Sequence, residues 1–160
     1  MIRLVLLAAF AFLVSGAVAS ADAPAAMPPM KLPPQPKVRP AGMPANAVMV
    51  SPCVAHMGEH WIALKDAPIG PIYGTYQGKI IFTEIMITQK MLAQGFTYLN
   101  IRALPGHTID HVDFEFEPHG HEGMPFPHYD VHAYYISPAT VEAICPNGAP
   151  NPAWKPYQNP

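Results

Sequence analysis

The segment KIIFTEIMI, from Lys79 to Ile87, is almost continuously apolar and β-branched and carries one carboxylate, Glu84. An apolar run of this length and composition predicts a β-strand that is buried for most of its length. Thr88 follows as the N-cap of a short helix over residues 89–94, and Gly95 ends that helix. We therefore place this strand at the centre of the fold.

Strand patterns also dominate the flanking sequence. Residues 108–117 alternate between apolar and polar side chains, and residues 129–136 form a further strand. The weaker signals are a short strand at 60–65, a turn-rich passage at 74–78, an extended stretch at 96–103, and Ser137-Pro138 opening a last short helix that ends near Cys145. The predicted class is α+β and β-rich, with an antiparallel sheet, rolled or barrel-like, and two short helices.

The N-terminus has the organisation of a secretory signal peptide, which we assign to residues 1–21. Arg3 is followed by an apolar run from Leu4 to Val14, and small residues surround Ala19. The run is too short to span a bilayer, although a retained N-terminal anchor is the alternative. We expect export, to a bacterial periplasm, and no membrane span after the signal is cleaved.

The prolines divide the mature chain into three parts. Residues 22–45 hold eight prolines and no aromatic residue, which predicts an extended linker whose deletion costs little stability. Residues 46–145 form the expected single β-rich domain, and residues 146–160, with five more prolines, form an irregular tail. The net charge of −2 lacks the basic excess of nucleic-acid-binding proteins, so nucleic acid is not an expected partner. A homo-oligomer stays open.

Two cysteines stand near the ends of the predicted domain. In an oxidising compartment Cys53 and Cys145 form a disulfide most simply, and it would close a loop of 92 residues (145 − 53). Two free thiols, available as metal ligands, are the alternative.

A cluster of histidines and acids is the most informative feature of the sequence. Residues 107–132 contain six histidines and six carboxylates but no lysine or arginine. Imidazole and carboxylate without a cationic partner suit a divalent transition metal such as zinc, copper, nickel or iron. A metal ion is therefore the expected cofactor and partner.

Strand geometry selects ligands within this cluster. His128, Asp130 and His132 project to one face of a strand, because side chains alternate. Two histidines four residues apart on a strand have Cα atoms about 13 Å apart, so they share one ion only if the strand bulges or one lies in a loop. We rank His132 first and His128 second. We expect the His119-Gly120-His121 segment to be a flexible loop that binds metal only weakly.

Two further elements complete the predicted site. His56 and His60 are four residues apart in a stretch that is either a metal-binding pair or a turn with solvated histidines. Glu84 lies in an apolar strand and needs either an ion pair, with Arg102 or Lys79, or a metal or imidazole partner. The candidate metal ligands are thus His60, Glu84, His128, His132 and His56.

Three motifs resemble an uncharacterised domain family of exported bacterial proteins. They are the M-G-x-H-W segment at residues 57–61, the apolar strand with an embedded Glu at 81–87, and the H-Y-D-x-H segment at 128–132, within a resemblance that covers about residues 50–145. The family has no established activity; the resemblance implies a compact β-rich domain and adds weight to His60, Glu84, His128 and His132.

Three functional hypotheses follow. The first is a periplasmic metal-binding domain with one His/carboxylate site formed by His60, Glu84, His128 and His132. The second is a metal-dependent enzyme, a hydrolase or non-haem oxygenase, that uses the same residues, since two histidines and a carboxylate match a facial triad. The third is a structural or assembly module with incidental histidines. The sequence leaves open whether the protein is an enzyme.

Overall fold

The computed structural model describes residues 31–121 and 124–146, so the predicted signal peptide and most of the predicted tail lie outside the described residues. The secondary-structure elements, in chain order, are β1 (Ala47–Val54), β2 (Gly58–Ala63), β3 (Ile72–Tyr76), β4 (Lys79–Thr88), α1 (Gln89–Ala93), β5 (His111–Glu117), β6 (His128–Tyr134) and α2 (Pro138–Val141). A single 3-10 turn, Leu64–Asp66, follows β2.

The six strands form one antiparallel sheet in the order β1-β2-β3-β4-β6-β5. This confirms the prediction of a β-rich, antiparallel fold with two short helices. Strand β6 inserts between β4 and β5, so the strand predicted as central is paired on both edges. In the described part of the chain β1 and β5 are the two free ends of the sheet. The sheet is therefore not closed, and the rolled or barrel-like shape stays a prediction.

Local sequence explains β4 and the helix that follows it. Seven consecutive residues of β4, from Ile80 to Met86, are buried, as the apolar run predicts. The Thr88 side chain accepts a hydrogen bond from the backbone N–H of Met91 at 3.1 Å, which is the predicted N-cap of α1. The extended stretch predicted at 96–103 forms no strand.

The pattern missed β1 and misplaced β3. Strand β1 contains Pro52 and pairs with β2 through two register shifts, so no clean alternation marks it. It is an edge strand, where a proline removes no ladder hydrogen bond. Strand β3 begins at Ile72 and runs through most of the passage predicted as turn-rich.

The predicted disulfide is confirmed. Cys53 on β1 is bonded to Cys145, which follows α2, and their Cα atoms are 6.2 Å apart. Both cysteines pack against a buried cluster that joins the last helix to the sheet and consists of Ile81, Phe82, Tyr134, Val141 and Ile144. The bridge therefore holds the C-terminal helix over one face of the sheet.

The second half of the predicted linker packs against the domain. Gln35 makes two hydrogen bonds of 2.9 Å to the backbone of Met49, donating to its carbonyl and accepting from its N–H. Arg39 donates to the carbonyl of Ala47 at 2.7 Å and lies 5.7 Å from the centre of the Trp61 ring. Met43 is buried in the cluster around Trp61. The packed domain thus begins before residue 46. The segment has no aromatic residue, but the side chains of Arg39 and Met43 make the contacts with the domain.

Candidate metal centre

The strand register places the histidines and carboxylates together on one face of the sheet, which we call the site face. Residues opposite each other in an antiparallel pair share a face. The opposed pairs between β4 and β6 are Glu84 with His132, Met86 with Asp130, and Thr88 with His128. From β5, Asp113, Glu115 and Glu117 stand opposite His132, Asp130 and His128. The alternation predicted for β5 therefore agrees with the register.

Three predicted ligands converge on the site face: His60 from β2, Glu84 from β4 and His132 from β6. Each offers one ligand atom, and these three atoms lie within 4.8 Å of one another. The Nε2 atom of His60 is 3.8 Å from Glu84 Oε2, and the Nε2 atom of His132 is 3.8 Å from Glu84 Oε1. Three of the five candidate ligands thus meet in space. We call them the first triad.

Phe82 and Gly74 hold the two imidazoles of the first triad in place. Phe82 is fully buried, and its ring centre lies 5.6 Å from that of His60 and 4.8 Å from that of His132. Gly74 stands opposite both His60 and Phe82, and a Cβ at Gly74 would overlap the Phe82 ring. The missing side chain at Gly74 thus lets the Phe82 ring lie between the two histidines.

The outer nitrogen of each imidazole faces a polar group on a neighbouring strand. The Nδ1 atom of His60 is 2.9 Å from the Ser51 hydroxyl on β1. The Nδ1 atom of His132 is 3.3 Å from a carboxylate oxygen of Glu115 on β5. Metal-binding histidines commonly have such outer partners, which orient the ring and favour the tautomer with a free Nε2. The arrangement directs both Nε2 atoms towards Glu84.

Two inner atoms of the first triad are buried without hydrogen bonds among the described residues. The side chains of His60, Glu84 and His132 are 14%, 2% and 0% exposed. Glu84 Oε2 and His132 Nε2 have no hydrogen-bond partner among the described residues. A buried polar atom without a partner costs about 1–3 kcal/mol of stability. A group that bonds to these atoms would remove that cost.

Electrostatics prepare the first triad for a cation. Burial, with a smaller effect of His132, lowers the pKa of His60 to about 3. Burial also raises the pKa of Glu84 to about 7. Burial acts to lower the pKa of His132, but Glu84 and Glu115 outweigh it and the pKa is raised. At neutral pH His60 is therefore a neutral ligand, whereas the raised pKa values of Glu84 and His132 mean that protons compete with a metal ion for these two side chains.

A second group of ligands lies beside the first triad. It consists of His121, His128 and Asp130, whose ligand atoms also lie within 4.8 Å of one another. The imidazoles of His121 and His128 beside it outweigh the effect of burial and hold the pKa of Asp130 well below its usual range. We call these residues the second triad. The predicted single site combined His128 with His60, Glu84 and His132, but the structure places His128 here. His128 lies within β6 and no bulge interrupts that strand, so the four-residue spacing keeps it apart from His132.

The other candidates fall outside both triads. His56, in the turn between β1 and β2, is 46% exposed, and its Nδ1 atom is 3.8 Å from Glu142. Glu84 pairs with the two imidazoles, whereas Arg102 contacts Asn100. Sequence reasoning left Asp130 out of the candidate ligands and expected only weak binding from His121. Asp130 had a usable signal, since it lies between His128 and His132 on the same strand face.

The fold and these side chains together define an antiparallel β-sheet domain with two His/carboxylate groups that could hold metal ions. No family model and no curated protein sequence matches the chain. Among solved structures, the chain is similar to a hypothetical protein from Thermus thermophilus, with a TM-score of 0.51 and 23% sequence identity over 57% of this chain and 89% of that one. At this identity the similarity shows a shared fold alone. None of the described helices is long and apolar enough to cross a membrane.

Proposed function

We propose that this protein is an exported, periplasmic domain that binds a divalent transition metal ion through His60, Glu84 and His132. The observation that carries the proposal is the buried Glu84 carboxylate, with raised pKa, between two imidazoles. Glu84 Oε2 and His132 Nε2 lack hydrogen bonds among the described residues. Two nitrogens and one oxygen suit zinc, copper, nickel or iron better than calcium or magnesium.

The separations in the first triad are compatible with such an ion. Ligand atoms of a tetrahedral zinc site, at about 2.0–2.1 Å from the metal, are about 3.3 Å apart. The two separations of 3.8 Å end on different oxygens of Glu84, and one ligand atom from each residue lies within 4.8 Å of the other two. Binding would therefore draw the side chains inward by at most about 1.5 Å. Rotation of the Glu84 carboxylate can provide much of this movement.

Charge and redox state support the same proposal. Among ion pairs between described residues, the only one that involves lysine or arginine is Lys65 with Asp66, and neither residue belongs to a triad. Imidazoles are instead the neighbours of four carboxylates of the site face, namely Glu84, Asp113, Glu115 and Asp130. The Cys53–Cys145 disulfide suits an oxidising compartment outside the cytoplasm.

The proposal also offers a physical reason for the three motifs of the family resemblance. The M-G-x-H-W segment contributes His60, the apolar strand contributes Glu84, and the H-Y-D-x-H segment contributes His132. In this proposal the three motifs are the ligand-bearing strands of one metal-binding domain family.

Catalysis has weaker support than binding. Two histidines and one carboxylate are also the ligand set of non-haem iron enzymes, which keep open positions for oxygen and substrate. Here the three side chains are almost fully buried, and a buried ion suits retention better than turnover. The third hypothesis, incidental histidines, conflicts with their convergence on one face.

The test is metal binding by protein purified without a His-tag. Metal content is measured on the purified protein, and the apoprotein is then titrated with zinc, copper(II), nickel and iron(II). We expect tight binding of at least one of these ions and a loss of it in His60→Gln and His132→Gln. His107→Gln serves as control, because the His107 ring packs against Tyr135, away from both triads. Equal binding by all variants would reject the proposal.

A further inference from the structure

We propose that His121, His128 and Asp130 form a second transition-metal site, so that the site face holds two ions side by side. The inference goes beyond the single site of the proposed function and rests on different ligands. The second site is expected to bind a divalent metal ion that prefers nitrogen donors, and zinc serves as the probe.

The second triad is already at the spacing of a metal site. The Nε2 atoms of His121 and His128 are 3.0 Å apart, and the Nε2 atom of His128 is 3.0 Å from Asp130 Oδ1. The Nε2 atom of His121 is 3.4 Å from Asp130 Oδ2. These separations lie close to the distance of about 3.3 Å that is expected between two ligand atoms of a tetrahedral zinc ion. The second triad thus needs less rearrangement than the first.

One hydrogen bond determines which nitrogen of His128 faces the other two ligands. The Nδ1 atom of His128 is 2.6 Å from the backbone carbonyl of Phe126. A carbonyl oxygen only accepts, so Nδ1 carries the proton, and neutral His128 presents an Nε2 lone pair. That lone pair faces Asp130 Oδ1, a buried oxygen with no hydrogen bond among the described residues. Two acceptors 3.0 Å apart require a cation or proton between them.

The same hydrogen bond is a recurrent feature of metal sites, where the outer N–H of a ligating histidine is donated to a backbone carbonyl or carboxylate. The side chains of His128 and Asp130 are 0% and 2% exposed, and that of His121 is 25% exposed. The second triad is therefore built into the sheet on one side, and His121 closes it from the loop.

Buried contacts hold His121 in position. His121 and Met124 exchange two backbone hydrogen bonds of 3.1 Å. The Met124 side chain is 1% exposed and packs in a cluster with Ile62, Ile72 and Met86. Gly120 has a positive φ of 64°, and a Cβ there would overlap the Met124 carbonyl. The loop is thus anchored to the core, and its histidine is directed at the sheet.

Charge on the site face allows two ions to be neighbours. Asp130 in the second triad and His132 in the first are alternate residues of β6, with Cα atoms about 6.6 Å apart. The site face carries five carboxylates on β4, β5 and β6, namely Glu84, Asp113, Glu115, Glu117 and Asp130, and no lysine or arginine stands on it in these strands. Five negative charges can offset the four positive charges of two divalent ions, so mutual repulsion does not exclude double occupancy.

The alternative occupant of the second triad is a single proton on His121, donated to Asp130 or His128. Zinc stoichiometry distinguishes the two, measured by calorimetric titration of the full-length exported chain and by metal analysis after desalting. We expect about two zinc ions per chain for wild type, about one for His121→Gln and about one for His60→Gln. The double variant should bind none, and His107→Gln should bind as many ions as wild type.

The outcomes separate this inference from the proposed function. If wild type binds one ion and His60→Gln binds none, the second site is wrong and the first stands. If wild type binds one ion that His121→Gln loses and His60→Gln keeps, the second triad stands and the first fails. If wild type binds one ion that neither variant removes, both fail. Wild-type binding of a single ion overturns the two-ion proposal even if a variant does not fold.

Discussion

Replacing Glu84 by glutamine should make the metal-free protein more stable at alkaline pH, although it removes a proposed ligand. Burial raises the pKa of Glu84 from its ordinary value of 4.5 to about 7. The folded state therefore holds this proton more tightly than the unfolded state. Wild type loses stability as pH rises from about 4.5 to about 7, and the loss is complete above that range.

The size of the effect follows from the pKa change. Each pKa unit corresponds to about 1.4 kcal/mol, so the full change corresponds to about 3 kcal/mol. Glu84 and His132 share the proton, so part of this free energy is not lost when Glu84 ionises. Glu84→Gln is therefore expected to raise the free energy of unfolding by about 1–3 kcal/mol near pH 8. Near pH 4 the side chain at position 84 is neutral in both wild type and Glu84→Gln, so the free energies of unfolding of the two proteins should differ by less than about 1 kcal/mol.

The assay is urea unfolding in EDTA at both pH values, followed by tryptophan fluorescence. Glu142→Gln is the matched control, because Glu142 is 79% exposed and its replacement should change stability by less than about 0.5 kcal/mol. Added zinc should then stabilise wild type more than Glu84→Gln. A variant less stable than wild type at pH 8 in EDTA would refute the reasoning, since the imidazoles alone would then satisfy the carboxylate.

Three further predictions concern pH, the disulfide and the N-terminal segment. Zinc affinity should weaken at least about tenfold from pH 8 to pH 6, because protons compete for groups with raised pKa, and a chelator competition titration with unchanged affinity would contradict this. Thiol titration of unfolded, non-reduced protein should find no free thiol, and replacing Cys53 and Cys145 by serine should lower the free energy of unfolding by about 2–4 kcal/mol. Met43→Ala should cost about 2 kcal/mol in the same unfolding assay, whereas Val38→Ala, at a residue 81% exposed, should cost little; equal costs would show that the segment does not pack as described.

Periodicity predicted the elements that rest on local rules. The apolar run of β4, the alternation of β5 and the Thr88 cap depend on residues adjacent in sequence, and all three are present. The same period of two placed His128 and His132 on one face but too far apart for one ion. The predicted site nevertheless combined both histidines, and the structure separates them into two triads.

What the sequence could not supply is the order of strands. Glu84 meets His132 because β6 inserts between β4 and β5, a long-range choice that no local pattern encodes. His60 reaches the same point only because Gly74 leaves space for the Phe82 ring between the histidines.

The predictions that differ most from the structure concern two segments without a clear hydrophobic pattern. The loop before β6 looked flexible because it is rich in glycine, proline and histidine, yet buried Met124 anchors it and directs His121 to the second triad. The proline-rich stretch before residue 46 looked like a free linker, but Arg39 and Met43 pack it against the domain around Trp61. Its deletion should therefore cost stability, contrary to the expectation from composition.

The most direct test of the central claim is the position of bound zinc in crystals of the protein, located by anomalous scattering at the zinc absorption edge. The account predicts a peak at about 2.0–2.2 Å from the Nε2 atoms of His60 and His132 and from one carboxylate oxygen of Glu84. Crystals grown with excess zinc that show no peak between these three side chains, or show zinc only at exposed histidines such as His56, would contradict it.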